Sequence, residues 1–378
     1  MNKILKLKVL YNSRLVGTLM WTKQNVAAFA YSKEWLADGF SISPRSLPLL
    51  PKVFLSKIDP FDGIFGVFAD SLPDGWGRLL VDRMLLKHKI NPHTLSPLDR
   101  LAIVGASGMG ALTYEPEQSF EIMQEQINLD KLAQECYQVL TTDYNDNIDE
   151  LVYLGGSSGG SRPKILTQLN GKDWIVKFAS AADNKDIGLE EYEYSLLAKA
   201  CGISMTETML LPSKLCKGYF ATQRFDRTLA GRVHMLSVSA VLETSHRIPN
   251  LDYDILMQLT AALTKNMENI KNLYRLMCFN VFAHNRDDHS KNFSFIYNEQ
   301  EKSWHLAPAY DLTYSYSIGG EHATTVHGNG TNPGLEDILA VAQGIGINVS
   351  EAKNIALAIY ECVHTRLKKY LRCYREVV

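Results

Sequence analysis

The apolar residues of this chain change their period along its length, and that change restricts the folds open to it. Over residues 4–10, Leu5, Leu7 and Val9 alternate with Lys6 and Lys8, the period-two pattern of a half-buried strand. Asn12-Ser13 supplies a turn, and Leu15–Trp21 reads as the partner strand of a hairpin. Pro44, Pro48 and Pro51 break the next stretch into loop. From residue 151 the reading is strand, glycine loop, strand: LVYL, GGSSGGSRPK, ILTQL, then Asn170-Gly171 and WIVKF. An Asn-Gly pair between two alternating runs marks a hairpin. From about residue 250 the spacing is helical, apart from strands at 293–297 and 303–306. The order is β-rich first and α-rich later, an α+β pattern.

Between these blocks a helix is expected from Trp76, where Leu79, Leu80, Arg83, Met84 and Leu86 recur at helical spacing. Ser96 ahead of Pro97 starts another. Gly105–Gly110 leads into a strand, ALTYEP. Residues 118–150 are polar and helical, ending in a structureless connector, TTDYNDNIDE. Residues 188–201 form a helix with Leu189, Leu196, Leu197 and Ala200 inward, and short strands follow near 207–211 and 218–224. The last helix begins after Ser350 and ends with Arg366, Lys368, Lys369, Arg372 and Arg375, basic residues well placed against the helix dipole and second candidates for DNA contact.

Length sets the domain count: 378 residues, at about 150 per domain, imply two or three. With 46% hydrophobic and 21% charged residues, disordered and fibrous classes are excluded. A formal net charge of -2 does not advertise nucleic-acid binding. The six cysteines lie far apart with no C-x-x-C pair, which signals neither a zinc site nor a disulfide framework and fits a reducing cytoplasm. Lys6 and Lys8 spoil the N-terminus as a signal peptide. The longest apolar run, Leu276–Ala283, falls short of the ~18 residues of a membrane span. A cytoplasmic protein with no membrane partner is expected.

Three segments carry candidate chemistry. The first is His284-Asn285-Arg286-Asp287-Asp288-His289-Ser290-Lys291-Asn292. Phosphoryl transfer needs a carboxylate to orient or deprotonate an acceptor hydroxyl and oxygen ligands for magnesium. Asp287 and Asn292 have the Asp-x4-Asn spacing of a kinase catalytic loop, and His284-x-Arg286-Asp287 echoes its lead-in. Asp311, in APAYDLTY, stands where a second magnesium ligand would come. The same residues could form a polar loop capping a helix, or a divalent-metal site of a hydrolase. The second segment, Gly155–Ser161, is either a phosphate cradle or a flexible hairpin tip. A phosphorylated serine there would repel ATP. The third is Lys177 among apolar residues on a strand, placed like the phosphate-gripping lysine of kinases, with Lys164 as a rival. One of Glu190, Glu191 and Glu193 could pair with Lys177; at least two of the three read as a solvated first turn.

Taken together the order is glycine loop, strand lysine, helix glutamate, Asp-x4-Asn, then Asp. With it come FADSLPDGWGR (68–78), GMGALTYEP (108–116), GGSSGGSRPK (155–164), QRFDR (223–227), RDDHSKNFSF (286–295) and LAPAYDLTYS (306–315). On these segments the chain resembles, over nearly its whole length, the HipA family of serine/threonine kinase toxins from bacterial type II toxin–antitoxin systems. The resemblance implies a bilobed protein-kinase-like fold with an extra N-terminal β-rich subdomain (1–116), a glycine-loop lobe (117–227) and a helical catalytic lobe (228–378).

By position, the resemblance makes Asp287 the catalytic base and Asn292 and Asp311 the magnesium ligands. It gives ATP to Ser157, Ser158, Gly159, Gly160, Lys164 and Lys177, with Gln223–Phe225 as the adenine hinge; the family's hinge often begins with Glu where this chain has Gln223. Relatives autophosphorylate a glycine-loop serine, which ejects the loop. Ser157 aligns best, seven residues before Lys164, and Ser158 is second. The implied partners are a HipB-like helix-turn-helix antitoxin, operator DNA gripped mainly by that antitoxin, and a protein substrate in translation such as an aminoacyl-tRNA synthetase. Two other functions compete: a small-molecule phosphotransferase, which the N-terminal 116 residues argue against, and a catalytically weak co-repressor scaffold, which the complete residue set argues against.

Overall fold

The computed structural model describes residues 3–118, 127–142, 147–316 and 318–373. Asn12 and Ser13 both take positive φ, 44° and 67°, the backbone a tight hairpin turn needs. They join β1 (Lys6–Tyr11) to β2 (Arg14–Trp21). Next come β3 (Ala27–Tyr31), α1 (Lys33–Asp38), capped by the Ser32 hydroxyl, and the short β4 (Phe54–Leu55). Then follow α2 (Gly66–Ala69), α3 (Gly75–Lys87), α4 (Pro97–Val104) and β5 (Leu112–Glu115). Ser96 and Asp99 close a reciprocal capping box at the start of α4, so the expected Ser-Pro start is where the helix begins. The five strands form one sheet, β4-β3-β2-β1-β5. Leu7, Val9, Leu19 and Phe29 are buried on it, whereas Leu5 precedes β1 and is exposed.

A second sheet follows α5 (Leu129–Thr141) and α6 (Ile148–Gly155). Its strands are β6 (Lys164–Leu169), β7 (Lys172–Lys177), β8 (Thr208–Leu211) and β9 (Tyr219–Gln223), in the order β6-β7-β9-β8, with α7 (Ile187–Ala200) between β7 and β8 in sequence. Asn170 and Gly171 close the β6–β7 hairpin, both with positive φ. Trp76, Leu80 and Met84 of α3, Cys136 and Val139 of α5, Leu151 of α6, and Ile165, Trp174 and Val176 of the sheet share one core. The side chain of Arg83 reaches the Val139 and Thr142 carbonyls and so caps the C-terminal end of α5. Then come β10 (Arg227–Thr228), β11 (Gly231–Arg232), β12 (Met235–Ser237) and α8 (Val238–Leu242). The chain divides into two compact units, and the first comprises Met1–Leu189 and Met209–Thr244.

The second unit, Glu190–Thr208 with Ser245–Val378, is mainly helical. It contains β13 (Leu251–Asp252), α9 (Tyr253–Thr264) and α10 (Met267–Phe282), the β14 (Ser294–Asn298)–β15 (Ser303–Leu306) hairpin, and β16 (Thr324–Thr325), which pairs parallel with β13. α11 (Leu335–Gly344), α12 (Val349–Arg366) and α13 (Lys368–Cys373) complete it. Among the described residues no helix is long and apolar enough to cross a membrane.

Four local expectations are corrected. LVYL is helical, the second half of α6, with Leu151 and Leu154 buried; a four-residue apolar run has no period that separates strand from buried helix. The connector expected at 141–150 already carries the first turn of α6 from Ile148, and 143–146 lie outside the described residues. On α7 it is Tyr194, Leu197 and Ala198 that are buried, while Leu196 and Ala200 are exposed. The glutamates of α7 do not form a solvated turn: Glu190 and Glu191 are buried.

Candidate functional site

The glycine loop emerges directly from the C-terminal end of α6 and runs into β6. It is not a free hairpin tip. Ser157 and Ser158 are 7% and 1% exposed. The Ser157 hydroxyl donates to the Ser107 carbonyl at 2.9 Å and that of Ser158 to the Gly155 carbonyl at 2.5 Å. Lys164 and Lys177 face each other across the β6–β7 ladder, 6% and 7% exposed. The Lys164 ammonium donates to the Gly159 carbonyl at 2.6 Å, and that of Lys177 lies 5.6 Å from the Phe220 ring centre. Two buried ammonium groups thus lie beside the glycine loop.

The hinge residues alternate. Gln223, opposite Trp174, and Phe225 are half-buried; Arg224 and Asp226 between and beyond them are buried. The Arg224 amide donates to the Asp173 carbonyl at 2.8 Å. The Asp226 carboxylate accepts from Arg224 at 2.9 and 2.8 Å, from Arg227 at 2.9 Å and from the Gly110 amide at 2.6 Å. Burial pushes this carboxyl upward, but the Arg224 guanidinium, Arg227 and the Gly110 N–H together hold it below the usual carboxylate range. The QRFDR segment thus leaves β9 at Gln223 and turns through Phe225 and Asp226, held by a buried ion cluster.

In the second unit the acid loop follows α10. His284 has φ 53° and Asp311 φ 54°, a left-handed backbone that costs a non-glycine residue energy and collects at functional sites. The Asn292 side-chain amide donates to the Asp287 carbonyl at 2.6 Å. That leaves its Oδ1, a neutral oxygen of the kind magnesium takes, directed away from the bond. The Asp287 side chain is 65% exposed, with the His289 ring 3.9 Å away. Asp288 is opposite in character, at 1% exposure. Its carboxylate accepts from the Tyr253 hydroxyl at 3.0 Å, meets His322 Nδ1 at 3.0 Å and accepts from the Thr324 amide at 3.1 Å. Burial and the Asp288 charge push the Tyr253 phenol well above its ordinary range. From Tyr253 the chain of bonds continues through Asn280 to Asn285, at 2.9 Å each. One buried network therefore pins the residues on both sides of Asp287.

The segment carrying Asp311 is tied to this loop at both ends. The Tyr310 hydroxyl donates to the Lys291 carbonyl at 2.6 Å, and the Ser315 amide to the His284 carbonyl at 3.0 Å. Asp287, Asn292 and Asp311 thus belong to one assembly, while Ser157, Ser158, Gly159, Gly160, Lys164, Lys177, Gln223 and Phe225 lie in the first unit. Among the described residues there is no group of three His, Cys, Asp or Glu side chains set to hold a metal. Two oxygen donors completed by substrate phosphates remain a chemically suitable set for Mg²⁺. Lys177 belongs to the first unit and Glu190, Glu191 and Glu193 to the second. Glu193 bonds Lys369 and the Tyr370 hydroxyl, each at 2.5 Å, so part of the basic C-terminal stretch is engaged within its own unit. The Arg372 side chain and Arg375 lie outside the described residues. Sequence reading missed the Asp288 network; the doubled aspartate of RDDH was its one visible sign.

Comparison with known proteins adds the following. Residues 7–115 match the HipA N-terminal domain, and residues 156–367 match the HipA-like C-terminal domain. A Sinorhizobium fredii protein named "Putative kinase Y4dM" is 23% identical over 85% of this chain and 81% of its own length. A second from the same organism, "Putative kinase Y4mE", is 25% identical over 81% and 76%. The HipA chain in a Shewanella oneidensis complex of HipA, HipB and operator DNA superimposes with a TM-score of 0.69 at 19% identity, covering 96% of this chain and 89% of that one. The fold is that of this HipA chain, and with both domains matched in order and the C-terminal match alone spanning more than half of its residues, the chain belongs to the HipA family.

Proposed function

We propose that this protein is a Mg-ATP-dependent protein serine/threonine kinase acting as a growth-arresting toxin. The observation that carries the reading is the contrast between neighbouring aspartates: Asp288 is locked in a buried network, and Asp287 stands exposed with Asn292 bonded to its carbonyl. Asp287 accepts the proton of the acceptor hydroxyl as that oxygen bonds to the γ-phosphorus of ATP. The bond to the β–γ bridging oxygen breaks, and ADP leaves. Asn292 and Asp311 would hold magnesium, which when bound neutralises charge on the transferring phosphoryl group. The glycine loop with Lys164 and Lys177 supplies cationic and backbone donors for the phosphates, and the backbone of Gln223–Phe225 meets adenine.

The acceptor is a hydroxyl of a translation component. Autophosphorylation falls on Ser157, with Ser158 second. Both hydroxyls are buried and bonded to carbonyls, so either can be modified only after the loop has moved, and a phosphate could not return to that space. A HipB-like helix-turn-helix antitoxin is the proposed partner, with operator DNA held mainly through it. The test is phosphate transfer from labelled ATP, with the modified residue mapped by mass spectrometry. Asp287→Ala should lower transfer about 10²–10⁴-fold, the usual share of a general base, and abolish toxicity on expression. Full autophosphorylation by that variant would sink the assignment. Transfer to a drug or sugar and to no protein in a lysate would favour the small-molecule reading.

A further inference from the structure

We propose that the Asp74–Gly77 segment at the start of α3 is a clamp that positions the glycine loop for nucleotide, with Asp74 a positioning residue of the kinase; the inference rests on the kinase reading above. Asp74 occupies the N-cap position of α3, the place where an aspartate ordinarily bonds its own helix, yet it makes no such side-chain bond. Its carboxylate instead accepts from the Gly160 amide, in the glycine loop. Two residues on, the Trp76 amide donates to the Gly160 carbonyl at 2.9 Å, so both backbone groups of Gly160 are taken by the same segment. The Trp76 indole N–H donates to the Lys164 carbonyl at 3.2 Å, at the loop's far end. Gly77 completes the fit: a Cβ there would run into the Ser158 carbonyl, so only glycine lets the helix approach so closely.

Ser107, from the loop ahead of β5, meets the Ser157 hydroxyl at 2.9 Å and adds a second hold. A loop with four glycines loses much conformational entropy when it is ordered. A clamp that orders it beforehand removes that cost from nucleotide binding. The part of the chain with no counterpart in ordinary kinase motifs thus acquires a role in the reaction: it sets the affinity of the phosphate loop.

The test uses the full chain carrying Asp74→Ala or Asp74→Asn and reads two quantities. The first is hydrogen exchange of residues 155–161 without nucleotide; the second is KM and kcat for Mg-ATP. Asp74→Ala should speed exchange at the loop and raise KM about tenfold, as for one lost charge-assisted hydrogen bond, with kcat at saturating ATP within about twofold. Asp74→Asn keeps an accepting oxygen and should recover most of the loss. Trp76→Phe, which removes the indole N–H together with part of the buried ring, should shift KM in the same direction. Unchanged exchange in Asp74→Ala, or an unchanged KM, overturns the proposal. A lowered KM overturns it too, because Asp74 would then be a competitor of the phosphate. A wild-type chain that transfers no phosphate sinks the kinase reading instead, and the exchange measurement then judges the clamp by itself.

Discussion

Replacing Asp226 by Asn keeps the size of the side chain and removes one buried charge. The carboxylate is fully buried and accepts four hydrogen bonds, three of them from Arg224 and Arg227. Arg224 is itself 6% exposed, and burial pulls Arg227 down to about 10, against the pull of Asp226. Without Asp226 the Arg224 guanidinium has no matching charge among the groups bonded to it here and faces amide hydrogens instead. Stranding one partner of a buried ion pair costs about 3–5 kcal/mol. The amide oxygen of Asn still accepts from the Gly110 N–H, so the stranded charge is the main cost. The loss should therefore reach about 3–5 kcal/mol, a large part of a typical folding free energy. Urea unfolding followed by tryptophan fluorescence measures it, since Trp76 and Trp174 lie in the core of the same unit. The decisive comparison is a double-mutant cycle with Arg224→Met. If the stranded charge is the cost, the double variant is more stable than Asp226→Asn alone. A loss below about 1 kcal/mol, the range of exposed pairs, or strict additivity in the cycle, refutes the argument.

Two further outcomes follow from buried groups. His234 is buried, its Nε2 donating to the Ile42 carbonyl at 2.7 Å, and burial pushes it down to about 4. Its neutral form favours the fold, so its contribution is present above the unfolded value near 6.5 and is lost as pH falls from there toward 4. Lowering pH from about 7 to about 5 should cost about 2 kcal/mol at this site; His234→Phe should flatten that part of the pH–stability curve, and an identical slope in the variant refutes the account. In the second unit, Asp288→Asn should lower kcat by about 10²-fold, the penalty for misplacing a reacting group by about 1 Å. KM for Mg-ATP should stay within about twofold, and wild-type kcat in this variant would mean that the network does not position Asp287.

What the amino-acid sequence reveals depends on the range of the interactions involved. Hairpins closed by Asn12-Ser13 and Asn170-Gly171, and the Ser96 start of α4, were legible because turn and cap chemistry lie within a few residues. The α+β order was legible because period two and period 3.6 differ over ten residues. LVYL was misread because four residues hold too little period, and Glu190 and Glu191 because dipole arguments see only their own helix. Asp287 and Asn292 could be named as candidates from spacing, and Asp311 from its place after a short hairpin. What separates Asp287 from Asp288 could not, since Tyr253, His322 and Thr324 come from about 35 residues away on either side. The partners of SLPDGWG were equally hidden: Gly160 and Lys164 lie 86 and 88 residues beyond Asp74 and Trp76.

The match regions end at residue 115 and resume at 156, yet the first compact unit runs through this gap and is completed only by residues 209–244. Asp74 holds Gly160, Trp76 holds Lys164, and Gly110 is held by Asp226, each bond reaching from one matched region to the other. The N-terminal matched region and the front of the C-terminal one are therefore joined within a single compact unit. A gene split at the junction would yield a front half without the β6-β7-β9-β8 sheet that α3 packs on, and a back half with Asp226, Arg224 and the glycine loop uncovered. Such halves would meet through the same bonds, recreated as an interface between separate chains.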